Sequence, residues 1–514
     1  MTSKNLAKST VWLIASEIIF NLSGYIIHSF VGRILGPADY GRYGLVVTMT
    51  TMIIILIGNG IPTAMAKYIS EIFETNPRMV LVIKRKALML QSILIGSITV
   101  IFFFSAPLIS RALGDDTLTP LFRISTLIIP AFAAASFYFS FYTALHKFNV
   151  QSILKTLRSV LKVVAIVGLA YVFGVPGSIV GYAVAALSVF LIAFLLDQLK
   201  YTKEIKQAAK GQNLSLESDF ETKKLVNYAW QVILFFLAYE LLISIDLYLV
   251  KGILHDDRLT GIYNAALTVG RIPYYIFYAL TIMLLPVVSK STSENDHAKT
   301  NQVIHQSLRL MLIFLIPAVI LMAQFSRPII KIFYSSKYLE AALPMSILAY
   351  GVGFLTIFYV MSFVMNGAGK TKIPMWISIF GVILNTALNY ILIKQYALTG
   401  NGLIGSAIAT SITSFIVMIA MLFYIQKDFG VLIKLKSLLK MLLAGIVMYI
   451  ASKFFSQGEF VFLLWSVALM SLYLFILVLL KEITLQDFNY FKSIVSKQKK
   501  TEIQEELSGN EPSA

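Results

Sequence analysis

GRILGPADYGRYG (32–44) and KGILHDDRLTGIYNA (251–265) read as one piece of chain written twice, about 220 residues apart. Ile34-Leu35 stands opposite Ile253-Leu254, and Gly41-x-Tyr43 opposite Gly261-x-Tyr263. Further pairs keep roughly that offset: IPTAMAKYISE (61–71) with LPVVSKSTSE (285–294), TALHK (143–147) with NGAGK (366–370), and GSIVGYAVA (177–185) with GLIGSAIAT (402–410). A repeat of this kind, running through apolar segments, is the mark of a duplicated helix bundle. Six segments per copy is an even number, so both copies insert the same way round, and an axis along the membrane normal relates them with a cavity between.

The segments belong in lipid. Of 514 residues, 58% are apolar and only 13% charged, and apolar runs long enough to cross a hydrocarbon core of about 30 Å recur from Val11 to about Leu480. We count fourteen. They lack the alternation of outer-membrane strands, so the backbone must satisfy itself in helices. The expected fold class is all-α: a polytopic membrane protein of about 14 transmembrane helices, two pseudo-symmetric six-helix lobes and an extra C-terminal pair. The expected divisions are 1–200 for the first lobe, 201–224 for a cytoplasmic linker, 225–427 for the second lobe, 428–481 for segments thirteen and fourteen, and 482–514 for a cytoplasmic tail.

Basic residues set the orientation, because Lys and Arg accumulate on the cytoplasmic side. Lys67, Arg78, Lys84, Arg85, Lys86 and the stretch from Lys200 to Lys224 are expected to place both termini on the cytoplasmic side of the cell membrane. The formal charge of +17 then reads as topology plus attraction to anionic lipid heads, with no nucleic acid needed. MTSKNLAKST is followed by an apolar run without a small-residue cleavage pattern, so it is read as the start of a retained first segment. The absence of cysteine removes disulfides and thiolate chemistry. No hydrolytic or transferase constellation, nucleotide-binding glycine loop or metal-binding His pair is present, so the chain is expected to be no enzyme and to need no cofactor.

Three groups of polar residues stand out. Glu17, Asn21, Gly24 and His28 share one face of segment one and line either a hydrated cavity or a helix contact. Gln151, Lys155, Arg158 and Lys162 form a second stripe on segment five, which reads as snorkelling to head groups or as a basic access path for a phosphate. Arg271, in GRIP (270–273), lies about ten residues into segment eight, roughly 15 Å deep. A guanidinium there needs an anion, either a fixed carboxylate such as Glu240 or Asp246 or a transported phosphate. Pro273 should perturb the helix beside it. Arg33 and Arg42 flank the first outer turn, and Asp39 fits a helix cap. Aromatic residues at Phe137–Tyr142 and Tyr274–Tyr278 suit either an interface belt or stacking on sugar. Asn385 and Asn389, one turn apart, either bridge helices or hold a cation.

LGPADYGRYG (35–44), GIYNAALTVGRIP (261–273), LLPVVSK (284–290), GAGKTKIP (367–374), VILNTALNYILI (382–393) and GLIGSAIATSI (402–412) together resemble the polysaccharide transporter family of the multidrug, oligosaccharidyl-lipid and polysaccharide flippase superfamily. The resemblance covers about the first 426 residues. It implies a two-lobed, V-shaped bundle that exports polyprenyl-diphosphate-linked oligosaccharides by alternating access. Similar lipid II flippases use cavity arginines for the diphosphate, which gives that role to Arg271. In them an additional helix pair holds the lipid tail, which makes segments thirteen and fourteen candidates. The expected substrate-binding set is Arg271, Arg33, Lys155, Arg158, Lys162, Asn21 and His28, and the expected ion-coupling set is Glu17, Glu240 and Asp246. The expected partners are the lipid-linked oligosaccharide, membrane lipid, a sodium ion or proton, and glycan-assembly proteins. HDDRLTG (255–261) departs from the glycine-proline pattern of the first copy, leaving the lobes chemically unequal. A cation-coupled multidrug exporter of the same superfamily and a non-transporting component of glycan assembly are the rival readings.

Overall fold

The computed structural model describes residues 3–58, 60–73, 75–210, 221–294, 296–430, 433–454, 458 and 461–483, with most side chains described from Ser16 onward. Most of the expected tail, residues 211–220 of the expected linker, and the side chain of Tyr278 lie outside the described residues. Among the described residues there is no strand.

The first lobe begins with α1 (Ser3–Gly58), two arms joined at Gly36. Gly36 has φ of +75°, a conformation open to glycine, and Pro37 opens the second arm, where its missing N–H costs nothing. The second arm continues as α2 (Ile61–Ile72) and is followed by α3 (Pro77–Ala112). One broken crossing comprises α4 (Thr119–Ser125) and α5 (Ile128–Ala144). Two arms joined at Gly174 make α6 (Phe148–Leu196), which α7 (Thr202–Lys210) extends past a wider turn, so the expected linker starts as helix.

The second lobe contains α8 (Thr222–Leu254), then α9 (Asp257–Gly270) and α10 (Ile272–Ser293), one crossing interrupted at Arg271. After α11 (His297–Gln324) a short α12 (Ser326–Phe333) leads into α13 (Ala342–Gly367), α14 (Lys372–Ala397) and α15 (Gly402–Phe429). The final pair is α16 (Leu435–Ser452) and α17 (Val461–Leu479). Among the described residues, ten stretches are long and apolar enough to span a membrane. Two of them are double crossings bent at Gly36 and Gly174, and with α8 and the interrupted α9–α10 they make fourteen.

The first arm of α1 shows how such helices sort their faces. Ile18, Leu22, Ile26 and Phe30, four residues apart, are exposed, while Ser23, Ile27 and Val31 are buried. Large apolar residues outside and a buried face that takes in a polar one, Ser23, suit a helix whose solvent is lipid. Within the first lobe α1 packs along α6, and α5 along α6 and α2; within the second, α13 and α14 pack on α15, α10 on α13, and α8 on α14. The lobes meet chiefly where α1 runs beside α9. We call this region the joint end of the bundle, and the opposite end, where α7 finishes and α8 starts, the linker end.

The C-terminal pair is fastened to the second lobe through α11 and α16. Glu482, just past α17, accepts hydrogen bonds from Arg309 Nε at 3.0 Å and from Ser437, with Lys440 at 3.5 Å. Burial pushes this carboxyl up, but those bonds and charges outweigh it and hold it below the usual carboxylate range.

Candidate functional site

At the joint end the duplicated glycines face one another. A Cβ on Gly41 would strike the carbonyl oxygen of Asp257, and one on Gly261 would strike that of Pro37. Pro37 and Asp257 each stand four residues before a glycine, so the contact is reciprocal, as an axis between the two turns requires. Gly44 likewise gives way to the side chain of Asn264. Only residues without a side chain allow two helices to come this close.

Charges surround the glycines. Arg42 Nε donates to Asp257 at 2.7 Å, and Lys251, only 3% exposed, binds both Asp257 and Asp115, the latter at 2.8 Å. Lys251 thus ties the α3–α4 turn of one lobe to the α8–α9 turn of the other. Asp39 pairs with Arg42 at 3.7 Å inside the first turn of the second arm, so it is an ion-pair member and no cap.

Beneath the glycines lies an aromatic plug. Tyr40 shares hydrogen bonds with His28 Nδ1 at 2.8 Å and with the Tyr334 hydroxyl at 2.9 Å, and Tyr338 donates to the Gly32 carbonyl at 2.7 Å. Tyr334 and Tyr338 come from the segment around α12, which the sequence reading passed over because its eight residues are too few to span a membrane. Ser29 donates to the Phe333 carbonyl at 2.5 Å. Arg33 is exposed and donates to the Phe333 and Ile332 carbonyls at the end of α12, which sets it apart from the other expected substrate residues. Its role there is to cap a helix.

Further in, two cations from different lobes approach one ring. The charges of both Lys162 and Arg271 act on the His28 ring, so the first lobe's stripe and the second lobe's guanidinium face a common region. Arg271 is the residue at which α9 ends and α10 begins, and it donates to the Ile243 carbonyl of α8. Of the two anions open to it, the fixed carboxylate is not engaged here: Arg271 makes no ion pair with Glu240 or Asp246, although its field reaches both. The break expected from Pro273 is present, two residues earlier.

On α6, Lys155 pairs with Glu17, so the acid expected to couple an ion is joined to the base expected to meet a phosphate. Arg158 and Lys162 are 5% and 6% exposed, which rules out snorkelling; they point into the first lobe. Asn21 is half-buried one turn beyond Glu17. The aromatic run Phe137–Tyr142 forms the core of that lobe, where Lys84 lies 4.1 Å from the Phe141 ring and 2.5 Å from Asp197. It is neither an interface belt nor a stacking platform.

The second lobe holds a contrasting centre. Asp246, fully buried, accepts from the Tyr263 hydroxyl at 3.0 Å, the Thr410 hydroxyl at 3.1 Å and the Leu247 N–H at 2.9 Å. Thr410 also lies 3.4 Å from Asn385 Oδ1, and Asn389 donates to that oxygen at 2.7 Å while accepting from Ser406 at 2.6 Å. A single carboxylate, two amide oxygens and three hydroxyls converge from α8, α9, α14 and α15. Such hard oxygen donors suit a small cation. The sequence marked Asp246, Asn385 and Asn389 separately; Tyr263 was visible only as a repeat position, and Thr410 carried no signal of its own.

Residues 6–292 match the polysaccharide biosynthesis protein family, and residues 232–391 match the MatE family. An uncharacterized membrane protein of Methanocaldococcus jannaschii is 24% identical over 82% of this chain and 98% of its own. Stage V sporulation protein B of Bacillus subtilis is 22% identical over 80% of this chain and 81% of its own. In fold, the chain matches a solved structure of the lipid II flippase MurJ in an inward closed conformation with a TM-score of 0.68 and 19% identity, over 91% of this chain and 98% of that one. With more than half of its length matched, the chain belongs to the polysaccharide biosynthesis protein family, in the multidrug, oligosaccharidyl-lipid and polysaccharide flippase superfamily.

Proposed function

We propose that the chain flips a polyprenyl-diphosphate-linked oligosaccharide from the inner to the outer leaflet of the cytoplasmic membrane by alternating access, its termini in the cytoplasm. The observation that carries this reading is Arg271: a guanidinium at a helix break, bonded to a backbone carbonyl and free of any ion pair among the described residues, facing the region shared with Lys162 and His28. A charge kept at such a position is costly unless an anion visits it. The diphosphate of a lipid-linked sugar is such an anion, and a planar guanidinium fork matches it.

In this reading the Lys- and Arg-rich linker end faces the cytoplasm, and the glycine joint with its ionic and tyrosine layers closes the outer side. The head group enters from the linker end, meets Lys162 and Arg271, and leaves when the joint parts. With the inside negative, moving two negative charges outward is favoured by roughly 2 × 2.3 kcal/mol per 100 mV. The empty carrier is reset by a sodium ion or proton at Asp246, with Asn385, Asn389 and Thr410 as the remaining donors. The final pair α16–α17 is the candidate holder of the lipid tail. The MatE match over part of the second lobe supports a cation-coupled multidrug exporter as the second reading, but cationic drugs would meet Arg271 and Lys162 as like charges. The test is a strain lacking the chain: accumulation of a lipid-linked oligosaccharide in the cytoplasmic leaflet is expected, and an unchanged pool excludes the proposal.

A further inference from the structure

Just before the short 3₁₀ helix Ser336–Ala341, the half-buried Ser335 has φ of +136° and ψ of 179°. That corner of backbone space belongs in practice to glycine, because a Cβ clashes there with the adjoining backbone. Another residue held in it stores strain and stays only where its surroundings over-determine the turn. The duplication supplies a comparison. About 220 residues earlier, shortly before the 3₁₀ helix Asp116–Leu118, the first lobe also turns through a positive φ, and the residue there is Gly114 at +70°. The second lobe meets its turn with serine, whose side chain makes no cap bond to the helix that follows.

Ties from the other lobe flank the strained residue on both sides. Before it, the Phe333 carbonyl accepts from Ser29 at 2.5 Å and from Arg33 Nε at 3.1 Å, and Tyr334 shares its hydrogen bond with Tyr40 at 2.9 Å. After it, Tyr338 donates to the Gly32 carbonyl at 2.7 Å. Both tyrosines are fully buried, their centroids 5.0 Å apart, and a Cβ on Gly32 would strike the Tyr334 ring. All these ties run to α1, so Ser335 takes up the turn that lets Tyr334 and Tyr338 face that helix together. The bonds to its own lobe, from the Tyr334 N–H to the Ile330 carbonyl at 2.9 Å and between Arg258 and Glu340, hold the ends of the segment.

We infer that residues 326–341 form a strained strap: closing the joint drives Ser335 into the glycine region, and parting the joint lets it relax. A residue strained in one state only biases the equilibrium by the difference in its strain. Ser335 therefore offsets part of the hold of the glycine, ionic and tyrosine layers, and keeps the joint able to open. The inference rests on the reading that the joint parts during transport and is indifferent to what is carried.

The test measures the joint in the purified full chain in lipid nanodiscs, with spin labels on Asp39→Cys and Thr399→Cys. Thr399 is exposed at the tip between α14 and α15, where Gly402 adjoins Leu254 at the end of α8, and it lies off the strap. Ser335→Gly should lower the open-to-closed ratio by about fivefold or more, the factor that relief of such strain supplies. Ser335→Val, with a branched Cβ, should raise the ratio. The two changes act in opposite directions, so one of them reads whether the wild type is mostly closed or mostly open. Should the valine chain not fold, the glycine variant is read in a Gly41→Ala background, whose added methyl meets the Asp257 carbonyl and holds the joint apart. An unchanged ratio in these variants, even with an altered melting temperature, means that the strain is equal in both states and overturns the inference, as does a higher ratio in the glycine variant. A shifted ratio beside an unchanged lipid-linked pool in the deletion strain would keep the strap and remove the flippase reading; an unshifted ratio beside an accumulated pool would do the reverse.

Discussion

Gly41 and Gly261 are related both in sequence and in space: each occupies the same position in its repeat, and each leaves room for the backbone carbonyl that lies four residues before the other. The joint between the lobes is built on the axis that relates them. A duplicated turn placed there must pack against its own copy, so a side chain added to the repeat is felt twice.

Gly41→Ala and Gly261→Ala should each part the joint, since the added methyl meets backbone and not a flexible side chain. The chain has no cysteine, so spin labels on Asp39→Cys and on Glu340→Cys, an exposed second-lobe position paired with Arg258 of α9, can report the separation directly. Each alanine variant is expected to lengthen that distance and populate the open joint. An unchanged distance in both variants removes the close approach as the determinant of closure.

Lys251→Met should open the same end by leaving Asp115 and Asp257 without their shared cation, at a cost of about 3 kcal/mol. Acid should act in the same direction. Burial pushes the Asp115 carboxyl up, but hydrogen bonds from Lys251 and Thr117 outweigh it and hold it below the ordinary carboxylate range. A depressed carboxyl stabilises the closed joint fully above its ordinary value and loses that contribution as pH falls through the depressed one. The labelled pair should therefore keep its distance from about pH 8 to about pH 5 and begin to separate only below about pH 4. Separation at neutral pH would show that another group controls the joint.

Arg271→Ala should abolish export of the lipid-linked oligosaccharide while insertion and expression stay normal, a loss of about 3 kcal/mol or roughly a hundredfold. Arg271→Lys should keep part of the activity, because it retains charge and loses the planar fork. Wild-type export by the alanine variant would end the proposed role.

Asp246→Asn should remove the dependence of transport on sodium or protons and leave the fold intact, since an amide can still accept from Tyr263 and Thr410. Melting curves of the purified chain with and without sodium, and at two pH values, separate the two ions. A variant that keeps the wild-type ion response places coupling elsewhere, with Glu240 as the next residue to change.

Glu17 and Lys155 show the limit of reading one helix at a time. Each was visible as part of a stripe, one proposed for an ion and the other for a phosphate, and the fold joins them to each other. Arg33 shows the same limit in reverse: its sequence neighbours belong to the joint, but its guanidinium turns outward to the end of α12. A stripe fixes which face a residue shares and leaves open which helix that face meets.

The amino-acid order by itself determined fourteen apolar crossings, the duplication, and the interruption beside Pro273, because hydrophobic length, repetition and the missing proline N–H are local properties that no partner can reverse. Only the tertiary structure decided that Arg271 bonds a carbonyl and no carboxylate, that Tyr334 and Tyr338 complete the plug, that Thr410 joins Asp246, and that Arg158 lies buried within its lobe. Those outcomes depend on distances between side chains more than a hundred residues apart or on opposite helices. Such distances are set by how close two backbones can come, and here the glycines at 41 and 261 set the closest approach.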